Sequence, residues 1–234
     1  MSPKRVIVSC CYSEARGKYY AKYADRLEES LDKFSPGVPR IIWRESWPPE
    51  SPSHNKLHYA FKYYAVADAV RRGFQHVMWL DAGSCALAPI DPLWERIAHN
   101  GYALLSGDDC LAAWISDQAL AHFGVTRDYA AGLKLAGGCL VGLDVEHPLG
   151  KHFLQWWGEL ARTTSLFMGH HTEQENQNGV MRSILRSDAD NAVISTDPRC
   201  KGHRSDEACF SLMMDRLGMT GLSIAEWQTM MKTY

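Results

Sequence analysis

The strongest chemical signal in these 234 residues is a single carboxylate. The run Gln75-His76-Val77-Met78-Trp79-Leu80 is almost continuously apolar and passes directly into Asp81-Ala82-Gly83-Ser84. Ligands of open α/β sheets bind just outside the carboxyl ends of the strands, which is where a functional acid at Asp81 would stand. Paired phosphates are commonly bound through a hard divalent cation held by one or two carboxylates. Asp81 therefore reads either as a phosphate-side metal ligand or as the cap of the next turn. No second carboxylate adjoins it, and Gly107-Asp108-Asp109, at the end of another strand-like run, is the best displaced substitute. His54 and His58 have the i, i+4 spacing of a metal pair but lack the glutamate of a zinc-protease helix, so His58 reads as a helix-surface residue. His170-His171 reads as a loop ahead of the capping box Thr172-Glu173-Gln174-Glu175, which predicts a helix to about Arg186. Gly-x-Ser-x-Gly, Walker A and Gly-x-Gly-x-x-Gly patterns are absent, which disfavours serine hydrolases, P-loop enzymes and typical dinucleotide enzymes.

The elements that must position Asp81 follow from periodicity. Arg5 to Cys10 is a β-branched run of strand length, residues 18 to 34 carry Tyr19, Tyr23, Leu27, Leu31 and Phe34 at helical spacing, and Pro39 to Trp43 reads as a second strand. This is the pattern of a βαβ unit with a parallel sheet. Three prolines between Pro48 and Pro52 forbid regular structure there, and residues 55 to 72 form an amphipathic pattern ended by Gly73. Further on, the pattern predicts a short helix from Pro92, a strand over Tyr102–Leu105 closed by the Ser106–Asp109 turn, and a helix over Asp117–Phe123 capped by Ser116 and stopped by Gly124. After an unassigned stretch come a glycine-led strand over Gly137–Leu143, a helix from Pro148 with Leu149, Phe153, Trp156 and Leu160 inward, a helix opened by Ser205-Asp206-Glu207, and a packed tail. The fold class expected is α/β, a mostly parallel central sheet flanked by helices.

Composition agrees with one soluble domain. Hydrophobic residues make up 46% and charged residues 22% of the chain, near globular averages, and the net charge of −2 provides no global attraction to nucleic acid or anionic membrane. No apolar stretch approaches membrane-spanning length, and Val6-Ile7-Val8 is too short for a signal peptide core, so a cytoplasmic location is expected. The seven cysteines are odd in number and never form Cys-x-x-Cys, which points to reduced thiols rather than a disulfide framework or a zinc ribbon.

The segment from Asn55-Lys56 to Trp94 resembles the central part of GT-A-fold glycosyltransferases: a loop with a lysine, a helix, a strand ending Val77-Met78-Trp79-Leu80-Asp81, then Ile90-Asp91-Pro92-Leu93-Trp94. In that superfamily the strand ends in Asp-x-Asp, which holds Mn²⁺ or Mg²⁺ on the diphosphate of the donor. Here the matching residues are Asp81-Ala82-Gly83, so the second aspartate is missing. Gly202-His203-Arg204-Ser205-Asp206-Glu207 is similar to the His-Arg-x-Asp-Gln motif near the end of several such transferases, with glutamate replacing glutamine, although Ser205 or Asp206 also reads as a helix N-cap. Leu135 to Gly142 is similar to the small-residue strand before their acceptor site.

What the resemblance implies is a single GT-A-like (Rossmann-like) domain over residues 1–234, with a donor-binding half at about 1–106 and an acceptor-side half at about 107–234. The implied donor is a nucleoside diphosphate sugar, a UDP-sugar being favoured. Ser9, Cys10 and Tyr12 would border base and ribose, Asp81 and Gly83 the diphosphate and sugar, and Lys56 or Arg204 would offset phosphate charge. Asp81 with His203 would hold Mn²⁺ or Mg²⁺ if a metal is used. Asp206 would take the proton of the acceptor hydroxyl, with Glu173 or Glu175 behind it. Trp43, Trp47 and Trp114 flank loops, where they either pack or stack on a sugar or base. The acceptor is a hydroxyl of a saccharide, a lipid-linked sugar, a small metabolite or a hydroxylated DNA base, DNA being disfavoured by net charge. The alternatives are a nucleotidyltransferase, whose glycine-rich basic loop after the first strand is lacking, and a non-catalytic saccharide- or nucleotide-binding module.

Overall fold

The structure is a computed structural model that describes residues 3–13, 20–168, 172–177, 180–185 and 194–234. The chain opens as expected with β1 (Arg5–Cys10), α1 (Ala21–Phe34), β2 (Arg40–Trp43), α2 (Ala60–Arg71) and β3 (His76–Leu80). After β4 (Ser84–Ala86) and α3 (Asp91–Asn100) come β5 (Tyr102–Cys110), α4 (Asp117–Phe123), α5 (Arg127–Ala131), β6 (Lys134–Asp144) and α6 (Pro148–Thr163). The remainder comprises β7 (Thr172–Gln177), β8 (Val180–Leu185), α7 (Ser205–Arg216), β9 (Leu222–Ser223), α8 (Ile224–Met230) and β10 (Met231–Thr233). Among the described residues no helix is long and apolar enough to cross a membrane.

The central sheet has the order β2-β1-β3-β6-β5-β9. Strand β1 runs parallel to β2 and β3, and β5 parallel to β9, while β6 is antiparallel to both of its neighbours. All strands but β6 therefore share one direction, and the α/β, mostly parallel architecture holds. The reversal of β6 brings its glycine-rich start beside the carboxyl end of β3: Leu140 pairs with Leu80, and the Asp81 N–H donates to the Cys139 carbonyl at 3.1 Å.

Apolar residues on both faces of the strands explain why the sheet is covered twice. Val6, Val8, Val77, Trp79 and Val141 pack on one face with α2, α6 and α7, while Ile7, Met78, Leu80 and Leu140 pack on the other with Leu27 and Leu31 of α1, Leu93 and Ile97 of α3, and Trp227 of α8. Helix α4 is capped as its sequence predicts, the Ser116 hydroxyl accepting from the Ala119 N–H, and Gly124 ends it at φ +64°.

Four local expectations are corrected. Residues 172–177 and 180–185 form the antiparallel strand pair β7–β8 instead of a helix; Thr172 to Gln177 contains no apolar residue, and a capping box without a stripe to bury does not offset the cost of helix nucleation. Strand β5 continues through Gly107-Asp108-Asp109 to Cys110, absorbing the glycine as a shift in register against β6. On α6 the inward tryptophan is Trp157, four residues after Phe153, while Trp156 is half-buried against Phe123. Helix α7 is capped by Arg204, and Ser205 is its first residue, at φ +39°. The unassigned stretch supplies α5, capped by Thr126, and the tail supplies β9, α8 and β10.

Trp157 is fully buried and lies edge-on to Tyr63, Phe153 and Phe210 with ring centroids 5.9, 6.2 and 5.1 Å away. Truncation to alanine leaves a cavity joining α2, α6 and α7. Trp157→Ala is expected to lower unfolding free energy by about 3–5 kcal/mol, read from urea unfolding followed by circular dichroism; a loss below about 1 kcal/mol would show that this contact does not hold the layer together.

Candidate active site

Because β1 and β3 are adjacent and parallel, their carboxyl ends open on the same side of the sheet. There they form the floor of a cavity of about 790 Å³. Strand β1 delivers Cys10 and, just beyond it, Tyr12; β3 delivers Asp81 and, in the following turn, Gly83. The proline-rich loop before α2 contributes Trp47 and Tyr59, and the first turn of α2 contributes Phe61 and Lys62. Strand β10 closes the far side through its pairing with β4, where the Tyr234 N–H donates to the Gly83 carbonyl at 3.0 Å. The same carbonyl accepts from the Arg26 guanidinium, which lies 3.6 Å from the Tyr234 ring centroid. A side chain at Gly83 would begin 2.9 Å from the Tyr234 carbonyl oxygen, so this close approach needs glycine.

One wall is aromatic. Tyr12 meets Trp47 edge-on at 5.2 Å, Trp47 lies 5.1 Å from Phe61, and Phe61 lies 5.7 Å from Trp79. Tyr59 caps α2 in the left-handed region at φ 55°, a conformation that costs a non-glycine residue about 1–3 kcal/mol. Its ring lies 4.8 Å from the Lys62 ammonium. His54 and His58 stack at 4.9 Å, with His54 edge-on to Tyr59.

At the base of the cavity Lys62 is the centre of charge. Its Nζ donates to the Gly138 carbonyl at 2.9 Å and ion-pairs with Asp206 Oδ2 at 3.0 Å and Asp81 Oδ1 at 3.3 Å. Asp81 Oδ1 also accepts from the Trp79 indole N–H at 2.8 Å. The Gly138 N–H donates to Glu207 Oε1 at 3.1 Å, and Arg204 pairs with Glu207 at 3.6 Å while lying over the Trp114 ring. A Cβ on Gly138 would stand 2.9 Å from the Lys62 Nζ and 3.1 Å from Asp206 Oδ2, so the cluster closes only around glycine. Burial opposes the Lys62 charge, but the Asp206, Asp81 and Glu207 carboxylates more than offset it and hold its pKa above the ordinary lysine value. Burial likewise pushes the Asp206 carboxyl up to about 7 against the pull of Lys62, with Glu207 adding to the rise.

The expected site residues divide into two groups. Cys10, Tyr12, Asp81 and Gly83 line the cavity, and Asp206 adjoins it through Lys62. Ser9 is fully buried within β1, and Lys56 is exposed in the turn before α2; neither is a lining residue. The lysine at the cavity is Lys62, which sequence reasoning missed. Its spacing to Ala65, Val66 and Ala69 puts it on the buried stripe of α2, a signal that reads as a helix face and not as a site. Arg204 is engaged with Glu207 and Trp114 away from the lining. His203 is buried: its Nδ1 accepts from the Ser116 N–H at 3.1 Å and its Nε2 lies 2.7 Å from the Leu166 carbonyl. Glu173 and Glu175 lie on β7 opposite Ile184 and Arg182. Asp108 is exposed at the edge of β5, paired loosely with Lys134 at 3.8 Å. Of the three loop tryptophans, Trp47 lines the cavity, Trp114 is buried beneath Arg204, and Trp43 ends β2. His170 and His171 lie outside the described residues.

The pairing of Asp81 with His203 does not fit a divalent metal. Both imidazole nitrogens are committed to backbone groups in the core, and Asp81 Oδ1 already holds an ammonium and an indole N–H. Among the described residues, no group of three or more His, Cys, Asp or Glu is arranged to hold a metal ion.

No family model and no curated protein matches the sequence. The solved structures to which the chain is similar include a glycosyltransferase involved in the glycosylation of the major capsid of PBCV-1, at 13% identity and a TM-score of 0.41, covering 70% of this chain and 70% of that one. Mouse xyloside xylosyltransferase 1 is 9% identical with a TM-score of 0.47, covering 93% of this chain and 84% of that one. Galactosyltransferase LgtC, in complex with donor and acceptor sugar analogues, is 9% identical with a TM-score of 0.36, covering 69% of this chain and 67% of that one.

Asp206 supplies a pH signature for the cluster. Its pKa is raised from 3.8 to about 7, so between those values the folded chain binds the proton that the unfolded chain has released. The contribution of this carboxyl to stability is thus full at low pH and falls as pH rises through about 7. In urea unfolding the stability advantage of the native chain over Asp206→Asn is expected to be largest near about pH 4 and to shrink by about pH 8; a gap that widens with pH would exclude a raised Asp206.

Proposed function

We propose that this chain is a glycosyltransferase of the GT-A type, taking a sugar from a nucleoside diphosphate donor, a UDP-sugar being favoured, and passing it to a hydroxyl acceptor. The observation that carries the reading is the cavity outside the carboxyl ends of β1 and β3, which combines an aromatic wall with a fixed ammonium–carboxylate centre at its base. An extended donor has matching parts: a flat base, a charged diphosphate and a sugar whose ring becomes positive as the bond to the leaving group breaks.

In this reading Tyr12 and Trp47 border the base, and the diphosphate lies toward Lys62 and Gly83. The carboxylate beside the sugar is Asp81. The sequence resemblance gave that role to Asp206, but the Asp206 side chain is 2% exposed and faces Lys62, whereas that of Asp81 is 35% exposed and lines the cavity. With Oδ1 fixed by Trp79 and Lys62, the Asp81 carboxylate is oriented to stabilise positive charge on the ring and to accept the proton of the attacking hydroxyl. The residues after 106 supply Gly138 and α7, which hold this centre from behind, and the acceptor would enter from that half.

Thermal unfolding against a panel of nucleoside diphosphates and their sugars tests the reading. A ligand at a hundred times its Kd stabilises by about 2.7 kcal/mol, about 5–10 °C for a chain of this size. One nucleoside diphosphate sugar is expected to give such a shift, and Asp81→Asn is expected to lower transfer by about 10²-fold or more while the shift persists. No shift with any nucleotide would overturn the donor site, and a shift without transfer or donor hydrolysis would leave a binding module.

A further inference from the structure

The oxygens around Lys62 are those that a hard cation selects. Gly138 presents a backbone carbonyl, Asp206 and Asp81 present one carboxylate oxygen each, and all three lie 2.9–3.3 Å from Nζ. Carboxylate and carbonyl oxygens converging in this way are the ligand types of Mg²⁺ and Mn²⁺ sites. An ammonium has three donors and no acceptor; here it donates to the Gly138 carbonyl, and the two carboxylate oxygens stand at ion-pair distance. The Tyr59 and Trp79 rings, 4.8 and 5.9 Å from Nζ, add cation–π contact to these oxygens. The Lys62 side chain is only 4% exposed, and it reaches this point from the first turn of α2 while the oxygens come from β3, β6 and α7.

We propose that Lys62 is the resident cation of this site: its ammonium takes the place of a divalent metal between Asp81 and Asp206, and donor binding does not require Mn²⁺ or Mg²⁺. The inference deepens the transferase reading and rests on it for the identity of the ligand, but the seat itself is defined by this chain alone. The missing second aspartate of Asp81-Ala82-Gly83 then has a physical reason, since a fixed monovalent ammonium needs fewer negative charges around it than a divalent ion. Of its three partners, Asp81 is the farthest and the most exposed, so an entering phosphate oxygen approaches the ammonium on that side, next to the carboxylate that Trp79 and Lys62 hold.

The test asks whether removing the ammonium opens the seat to metal. Mn²⁺ binding is followed by electron paramagnetic resonance on the native chain, Lys62→Ala and Lys62→Ala/Asp206→Asn, with circular dichroism confirming folding. Lys62→Ala is expected to bind Mn²⁺ at least about tenfold more tightly than the native chain, and the double variant to lose that gain. Equal affinity in the native chain and a folded Lys62→Ala would overturn the proposal. Should Lys62→Ala fail to fold, Lys62→Gln is used in its place, and the native chain decides independently: saturable Mn²⁺ binding abolished by Asp81→Asn would overturn it. Titration of UDP into the native chain in EDTA and in Mn²⁺ separates the two readings. Equal affinity supports the ammonium as resident cation, a tenfold gain with metal overturns it, and no UDP binding under either condition counts against the UDP donor reading while the Mn²⁺ arms still decide the seat.

Discussion

An ammonium removed from water must be surrounded by oxygens, and that requirement at Lys62 organises the rest of the site. Desolvating one charge costs several kcal/mol, and the cost is recovered only when partners are held in good geometry. The partners here come from three elements that are remote in sequence. Gly138 belongs to the reversed strand β6, Asp81 to the end of β3, and Asp206 to the first turn of α7. Each must be in place before Lys62 can be buried, so the pairing couples α2, the sheet and α7 into one unit.

The reversal of β6 makes this possible. A parallel strand beside β3 would present its own carboxyl end there; the antiparallel strand presents its beginning, Gly137-Gly138-Cys139, and sends its end toward α6. Glycine at 138 leaves the volume that Nζ and Asp206 occupy, while its N–H donates to Glu207 and its carbonyl accepts from Lys62. Helix α7 is tied to the same strand by the Ala136 N–H donating to the Ser211 hydroxyl at 2.8 Å. The strained backbone of Tyr59 belongs to the same arrangement, since it carries the ring that lies beside the ammonium at the base of the cavity.

Much of the frame was legible because local patterns were strong and consistent. The β1–α1–β2 opening, the strand ending at Asp81, the Ser116 cap and the Gly124 stop all follow from periodicity and turn chemistry, and all are present. The failures have a common cause. A capping-box pattern at 172–175 and a glycine-acid cluster at 107–109 are signals a few residues long, and they yielded to strand pairing that local sequence does not encode. His203 resembled a ligand because of its neighbours in sequence, but its nitrogens bind the backbone of Ser116 and Leu166, positions that only folding brings near.

By itself the sequence determined the α/β class, the alternation that builds a parallel sheet and the position of Asp81 at a strand's carboxyl end. Those features depend on hydrophobic period and on single residues that start or stop an element, and both can be read along one dimension. Only the tertiary structure decided that Lys62, not Lys56, is the cavity's lysine, that Asp206 is buried behind it, and that Gly138 is the residue around which the charges close. Each of those facts depends on which remote groups share a desolvated volume, and electrostatics in such a volume is set by distances through space, which spacing along the chain does not contain.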